Sequence, residues 1–230
     1  MGRGFNDQLR PTEFLDYESD TVRDFVHEVL GKDAYENPAE KAVALYYAVR
    51  DKIFYEVYGT DISRRGFRAS SILDAGMGFC VHKAILYAAT LRYIGIPSRL
   101  YYADVRNHLA SPRLRELAGG DIFCFHALTL VYLNDRWLKA TPVFNKMLCK
   151  LYRIRPLDFD GLADSIYHPY DEDGRQHMEF LKVRGEFDDF PYDLVVPGIK
   201  NAHPRLFASS DTAAVGSLLS EARTRDGERE

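Results

Sequence analysis

Cys80 stands where a turn containing Gly76 and Gly78 meets a strongly apolar run, "CVHKAILYAATLRY", and a later segment, "DIFCFHALTLVYL", carries His126. A thiol in the first turn of a helix lies among backbone N–H groups that lack an intrahelical partner, at the positive end of the helix dipole. Both features favour thiolate, so the Cys80 pKa is expected below the ~8.5 of free cysteine. On a strand, His126 alternates onto one face with Cys124, Leu128 and Leu130, and that apolar company points to the inward side. A thiol and an imidazole brought together can attack an amide. The imidazole takes the thiol proton, sulfur adds to the carbonyl carbon, and the imidazolium returns a proton to the leaving amine. The backbone N–H of Cys80 itself would be one donor to the oxyanion.

Cys80-Val81-His82 and Cys124-Phe125-His126 also read as halves of a four-ligand metal site. Residues two apart on a helix diverge by about 200°, however, so Cys80 and His82 do not share an ion. His82 is expected on the polar side of its helix, and no metal or organic cofactor is implied. Asp104, Arg106, Asn107 and His108 crowd the end of a strand where a loop begins, a place suited to contacting substrate.

Other elements must bring these groups together. Val22, Phe25, Val26, Val29 and Leu30 form the stripe of an amphipathic helix. Asn37, Pro38 and Glu40 mark the start of a second, which runs through "AEKAVALYYAVRDKI". The Cys80 helix is expected to end near Tyr93, with Gly95 as its left-handed stop and Pro97 beyond. "SRLYYADV" reads as a strand, and Asn134-Asp135 as the turn of a hairpin between "DIFCFHALTLVYL" and "RWLKATPVFN". After Lys146 the pattern weakens into a turn-rich, acidic stretch.

The cysteine segment "GMGFCVHKAILYAATLRYIGIPSRL" resembles the transglutaminase-like (cysteine peptidase) superfamily, in which Gly-x-Cys opens a helix followed by a Gly-Ile-Pro-x-Arg segment. Cys80, Arg92, Gly95, Ile96, Pro97 and Arg99 match that motif, and "FHALTLVYLNDRW" resembles the second one, with His126 and Trp137. The resemblance runs from about Ala39 to Lys146. It implies an α+β, papain-like core in which the cysteine-bearing helix packs on an antiparallel sheet, with a third polar residue orienting the histidine.

The superfamily places an aspartate before a proline at that third position, and here the residue is Thr141, followed by Pro142. If Asn134-Asp135 is a two-residue turn, His126 faces Val143, and Thr141 and Asn145 lie diagonally on either side at about 7–8 Å. Asn145 reaches further than Thr141 and is the preferred orienter, while Asp160 and Asp164 remain open as carboxylate alternatives.

The chain has 230 residues, 46% apolar and 28% charged, with a net charge of −4 that does not suit a nucleic-acid binder. No stretch reaches the ~18 apolar residues of a membrane span, the first residues lack an apolar signal core, and Asn6 departs from a myristoylation motif. Three cysteines argue against a disulfide framework and for a reducing, cytoplasmic setting. The expected organisation is one domain over 1–208, with 147–208 packed on the core, and a polar, partly disordered tail over 209–230 holding a short helix near Ala213–Ala222. The expected function is cysteine-dependent acyl chemistry on a peptide or amide substrate. A domain that keeps the fold only for binding or scaffolding is the alternative.

Overall fold

A computed structural model describes residues 5–31, 37–108, 110–166, 177–209 and 211–227. Along the chain run α1 (Asn6–Leu9), α2 (Asp20–Leu30), α3 (Pro38–Lys52), β1 (Phe54–Tyr55), α4 (Ala69–Ala75), β2 (Met77–Gly78), α5 (Cys80–Tyr93) and β3 (Ser98–Asn107). They are followed by α6 (Pro112–Ala118), β4 (Ile122–Leu133), β5 (Arg136–Ala140), α7 (Lys146–Tyr152), β6 (Met178–Phe187), α8 (Tyr192–Ala202) and α9 (Leu218–Gly227). The fold is α+β, with the cysteine-bearing helix α5 on an antiparallel sheet of order β5-β4-β3-β6.

Local chemistry sets the helix ends. Asn37 caps α3 by accepting the Glu40 N–H, with Pro38 in the first turn. α5 stops at Gly95, whose φ is +77°, as the Gly95 N–H bonds Arg92 O and the Ile96 N–H bonds Leu91 O. α5 is buried on every side from Cys80 to Arg92, between β3 and β4 and the helices α2, α3 and α4. Its polar residues are absorbed internally. Lys83 Nζ donates to Arg50 O and Ile53 O at the end of α3, and the Arg92 guanidinium donates to the carbonyls of Arg10, Ser98 and Asp188.

The β4–β5 hairpin turns on Asn134 and Asp135, whose φ values of 50° and 61° suit a two-residue turn matched to sheet twist. The register runs from Leu133–Arg136 to Thr129–Ala140, and there the ladder stops. Ala140 also bridges Ser165 on its other side, and the Val143 N–H folds back onto Thr141 O. His126 therefore does not face Val143 across a ladder as expected.

A bulge interrupts β4 on its other side. Ala103 pairs with His126 but Val105 pairs with Phe123, so Cys124 and Phe125 together oppose Asp104, and Phe125 takes a φ of 58°. Leu128 and Leu130 pack with Tyr101, Ala103 and Trp137 in a cluster apart from the main core. Ala127 and Val131 belong to the main core, and Thr129 Oγ1 donates to Ala84 O of α5. The strand face read as inward from Leu128 and Leu130 is thus the one away from α5.

Beyond Lys146, where the sequence pattern is weak, the chain forms α7, the edge strand β6 and α8. Residues 167–176 of the acidic stretch lie outside the described residues. In the segment read as a polar tail, Ala213, Leu218 and Ala222 are buried, and Glu56 accepts the Leu218 N–H at the start of α9.

Candidate active site

β1 and β2 pair in parallel, with Tyr55 opposite Gly78 and the Glu56 N–H bonded to Gly78 O. This pairing fixes the chain two residues before Cys80. Gly78 is required by close approach, because a Cβ there would lie 2.5 Å from the Cβ of His82. Phe79 then takes an extended conformation as N-cap, with no side chain capping the helix. The first-turn N–H groups of α5 are left to the thiol.

Cys80 and His126 both line a cavity of about 90 Å³, room for several water-sized groups. Around the bulge Phe123, Cys124, Phe125 and His126 all reach its wall, which simple alternation along a strand would forbid. Tyr55, Phe144, Leu148 and Leu218 add to it, and no Asp, Glu, Lys or Arg side chain lines it among the described residues.

Burial governs the titration of the pair. It pushes the Cys80 thiol up to about 11, opposed by the backbone N–H groups of Ala127, Val81 and Cys80 itself. It pushes the His126 imidazole down to about 4. A thiol below 8.5, expected from the helix terminus alone, is not what this environment gives. Desolvation outweighs the dipole in a site walled by aromatic and aliphatic groups. Both groups are held neutral across the physiological range.

The other sequence-derived residues fall in several places. Asn145 is buried and its Oδ1 accepts the Tyr55 N–H at 3.1 Å. Thr141 is buried, its carbonyl accepts from Tyr46 Oη, and its Oγ1 makes no hydrogen bond among the described residues. Asp160 accepts the N–H groups of Leu162 and Ala163 in its own surface segment, and Asp164 accepts that of Lys139 on β5. Of the four residues at the end of β3, only Asn107 lines the cavity. Asp104 binds Arg184 through two guanidinium nitrogens and accepts the Phe125 N–H, which staples the bulge. Arg106 pairs with Asp121 and Glu179, and His108 approaches Glu179 at 3.6 Å.

His82 is buried rather than on a polar face, since α5 has none. Its ring stacks on Phe67, Nε2–H donates to Asp61 O at 2.9 Å, and burial pushes it down to about 4. Cys80 and His82 thus face different surroundings, and among the described residues no group of three His, Cys, Asp or Glu side chains is placed to hold a metal.

Sequence reading missed Tyr55 and His203. The only sequence signal for Tyr55 is an inward place beside exposed Phe54 on a two-residue strand. His203, just past α8, accepts the Cys124 N–H at Nε2 and donates from Nδ1–H to Ala118 O, which braces the bulge from outside the hairpin.

A family model described as the transglutaminase-like superfamily matches residues 23–142, more than half of the chain. The chain belongs to the transglutaminase-like superfamily. The match begins earlier than the segment on which the resemblance rested, taking in most of α2, and it ends at Pro142. Membership supports cysteine-based catalysis as the general class of chemistry.

Among solved structures, this transglutaminase-like chain is similar to a "putative cysteine protease" from Cytophaga hutchinsonii, at 16% identity and a TM-score of 0.47, covering 81% of this chain and 55% of that one. It is also similar to a "putative protease" from Parabacteroides distasonis, at 15% identity and a TM-score of 0.37, covering 60% of this chain and 25% of that one. The transglutaminase-like chain thus spans about half or less of the length of these solved structures. No curated protein matches it. No helix among the described residues is long and apolar enough to cross a membrane.

Proposed function

We propose that the chain performs acyl chemistry on amides, with Cys80 as nucleophile and His126 as general base and then general acid. The observation that carries this reading is the presence of both residues in the lining of one largely apolar cavity, with the thiol in the uncapped first turn of α5. A thiol held near 11 and an imidazole held near 4 are both neutral near pH 7. Proton transfer from sulfur to His126 therefore accompanies attack instead of preceding it. The S–C bond forms as the carbonyl π pair moves to oxygen, and the Cys80 N–H donates to that oxygen. Collapse expels the amine, which takes the proton from His126. Water or a second amine then accepts the acyl group. Asn145 and Thr141 act through position, and Asn107 offers the cavity a polar contact at the end of β3.

The wall favours apolar acyl groups, since among the described residues no Asp, Glu, Lys or Arg in it compensates a buried carboxylate or ammonium. Anilides of aliphatic and aromatic N-acetyl amino acids, beside those of aspartate and lysine, test this reading by release of aniline. Turnover of the apolar anilides that is lost in Cys80→Ala is expected. Release that persists in that variant overturns the nucleophile assignment.

A second reading, a binding domain of the same fold, is favoured by Thr141 in place of a carboxylate and by the engagement of Asn145 with Tyr55. A ligand that binds the cavity with equal affinity in the wild type and Cys80→Ala, with no anilide turned over, would establish it.

A further inference from the structure

Tyr55 sits in the cavity wall with Cys80 and His126, and three contacts fix it there. Its backbone N–H donates to Asn145 Oδ1 at 3.1 Å, its strand position is registered opposite Gly78, and its ring packs edge-on to Phe144 with centroids 4.6 Å apart. Two-residue β1 sends Phe54 to solvent and Tyr55 inward. The phenol hydroxyl forms no hydrogen bond among the described residues and, unlike those of Tyr58 and Tyr102, belongs to a half-buried ring and is not sealed away without a partner. A tyrosine in such surroundings normally satisfies its O–H, so this donor is available to a ligand in the cavity. Burial, and after it the electrostatic effect of nearby Cys80, keeps the phenol protonated well above its usual range.

We infer that the Tyr55 hydroxyl is the second oxyanion donor, hydrogen-bonding the carbonyl oxygen of the substrate opposite the Cys80 N–H. The assignment rests on the acyl-transfer reading and adds the donor that reading lacks. As sulfur adds and charge moves to the carbonyl oxygen, a neutral phenol donates without giving up its proton. The proton leaving sulfur still goes to His126 and from there to the leaving group. Asn145 is then a positioning residue, acting through the backbone of Tyr55.

Two reactions at the same sulfur separate this role from packing. Acylation by the p-nitrophenyl ester of an apolar acid passes through an oxyanion, whereas alkylation by iodoacetamide is a displacement at carbon that forms none. Tyr55→Phe keeps the ring and removes only the hydroxyl. It is expected to slow acylation of Cys80 by at least tenfold, toward the ~10²–10³ typical of a lost oxyanion donor. Alkylation should stay within about twofold of wild type. Equal acylation rates in the variant and wild type overturn the assignment, and so does an equal slowing of both reactions, which marks a structural role. If the wild type is alkylated at Cys80 but acylated by no ester, the acyl-transfer reading fails and the role of Tyr55 fails with it.

Discussion

Asn145 Oδ1 accepts the backbone N–H of Tyr55 at 3.1 Å, tying the segment after the β4–β5 hairpin to β1, the short strand that pairs with β2 just before Cys80. Asn145 is itself buried, so its loss leaves a main-chain donor without compensation. Asn145→Ala is expected to cost about 1–3 kcal/mol of stability. It should slow acylation of Cys80 more than alkylation. Urea denaturation gives the first quantity and stopped-flow ester kinetics the second. A variant as stable as wild type would show that the bond does not anchor Tyr55.

Asp104 and Arg184 lock the bulge from which His126 emerges. Burial raises the Asp104 pKa, but the hydrogen bonds from Arg184 and the Phe125 N–H outweigh it and hold the carboxyl below its usual value. A carboxyl depressed in the folded state stabilises fully above its unfolded pKa of ~3.9 and loses that contribution as pH falls through the folded value. Asp104→Asn should therefore cost about 1–3 kcal/mol at pH 7. The difference from wild type should shrink in strongly acidic solution. Melting curves of both chains between pH 7 and 3 check this, and a difference constant with pH would contradict it.

Acid should also weaken the fold through its buried histidines. Burial holds His82 and His126 near 4, against ~6.5 in an unfolded chain. Between these values the unfolded chain binds protons that the folded chain does not, so stability is complete above ~6.5 and falls as pH drops toward 4. The slope is at most about 1.4 kcal/mol per pH unit for each histidine. His82→Phe removes one such proton, so its stability should change less steeply between pH 6.5 and 4. An unchanged slope would mean that His82 is protonated in the folded state.

A preformed thiolate–imidazolium pair and a neutral pair differ in how alkylation follows pH. With the Cys80 thiol near 11, its alkylation by iodoacetamide should climb about tenfold per pH unit from 7 to 9 without a plateau. Cys149, pushed up to about 12, should label more slowly than Cys80. Peptide mapping at each pH separates the sites. A plateau for Cys80 below pH 8 would contradict the neutral pair.

What was legible in the sequence is what local chemistry decides. The limits of α5 follow from the turn before Cys80 and from Gly95, and the hairpin register follows from Asn134-Asp135, because each depends on a few neighbouring residues. The bulge at Cys124-Phe125 was hidden because the carboxylate of Asp104, on the adjacent strand, bonds the N–H of Phe125. The bulge breaks the alternation between Cys124 and His126, and Leu128 and Leu130 were misread because Tyr101, Ala103 and Trp137 cover the face of β4 away from α5. His82 was misplaced because a helix buried on all sides has no polar face to assign. β6 was unreadable for a different reason. It is an edge strand, exposed along most of its length, and it lacks the alternation of a half-buried strand. The departure of Thr141 through Asn145 from the β5 ladder depends on Ser165, which bridges Ala140 from a distant segment.

In the proposed reaction Cys80 forms an acyl adduct with the help of His126. Intact-mass measurement and peptide mapping of the chain, quenched in acid after mixing with the p-nitrophenyl ester of an apolar acid, test it most directly. One acyl group on Cys80 is expected, absent in Cys80→Ala and formed at least about 10²-fold more slowly at pH 7 in His126→Ala. An adduct on Cys124 or Cys149, or a rate at Cys80 that is indifferent to the loss of His126, would contradict it.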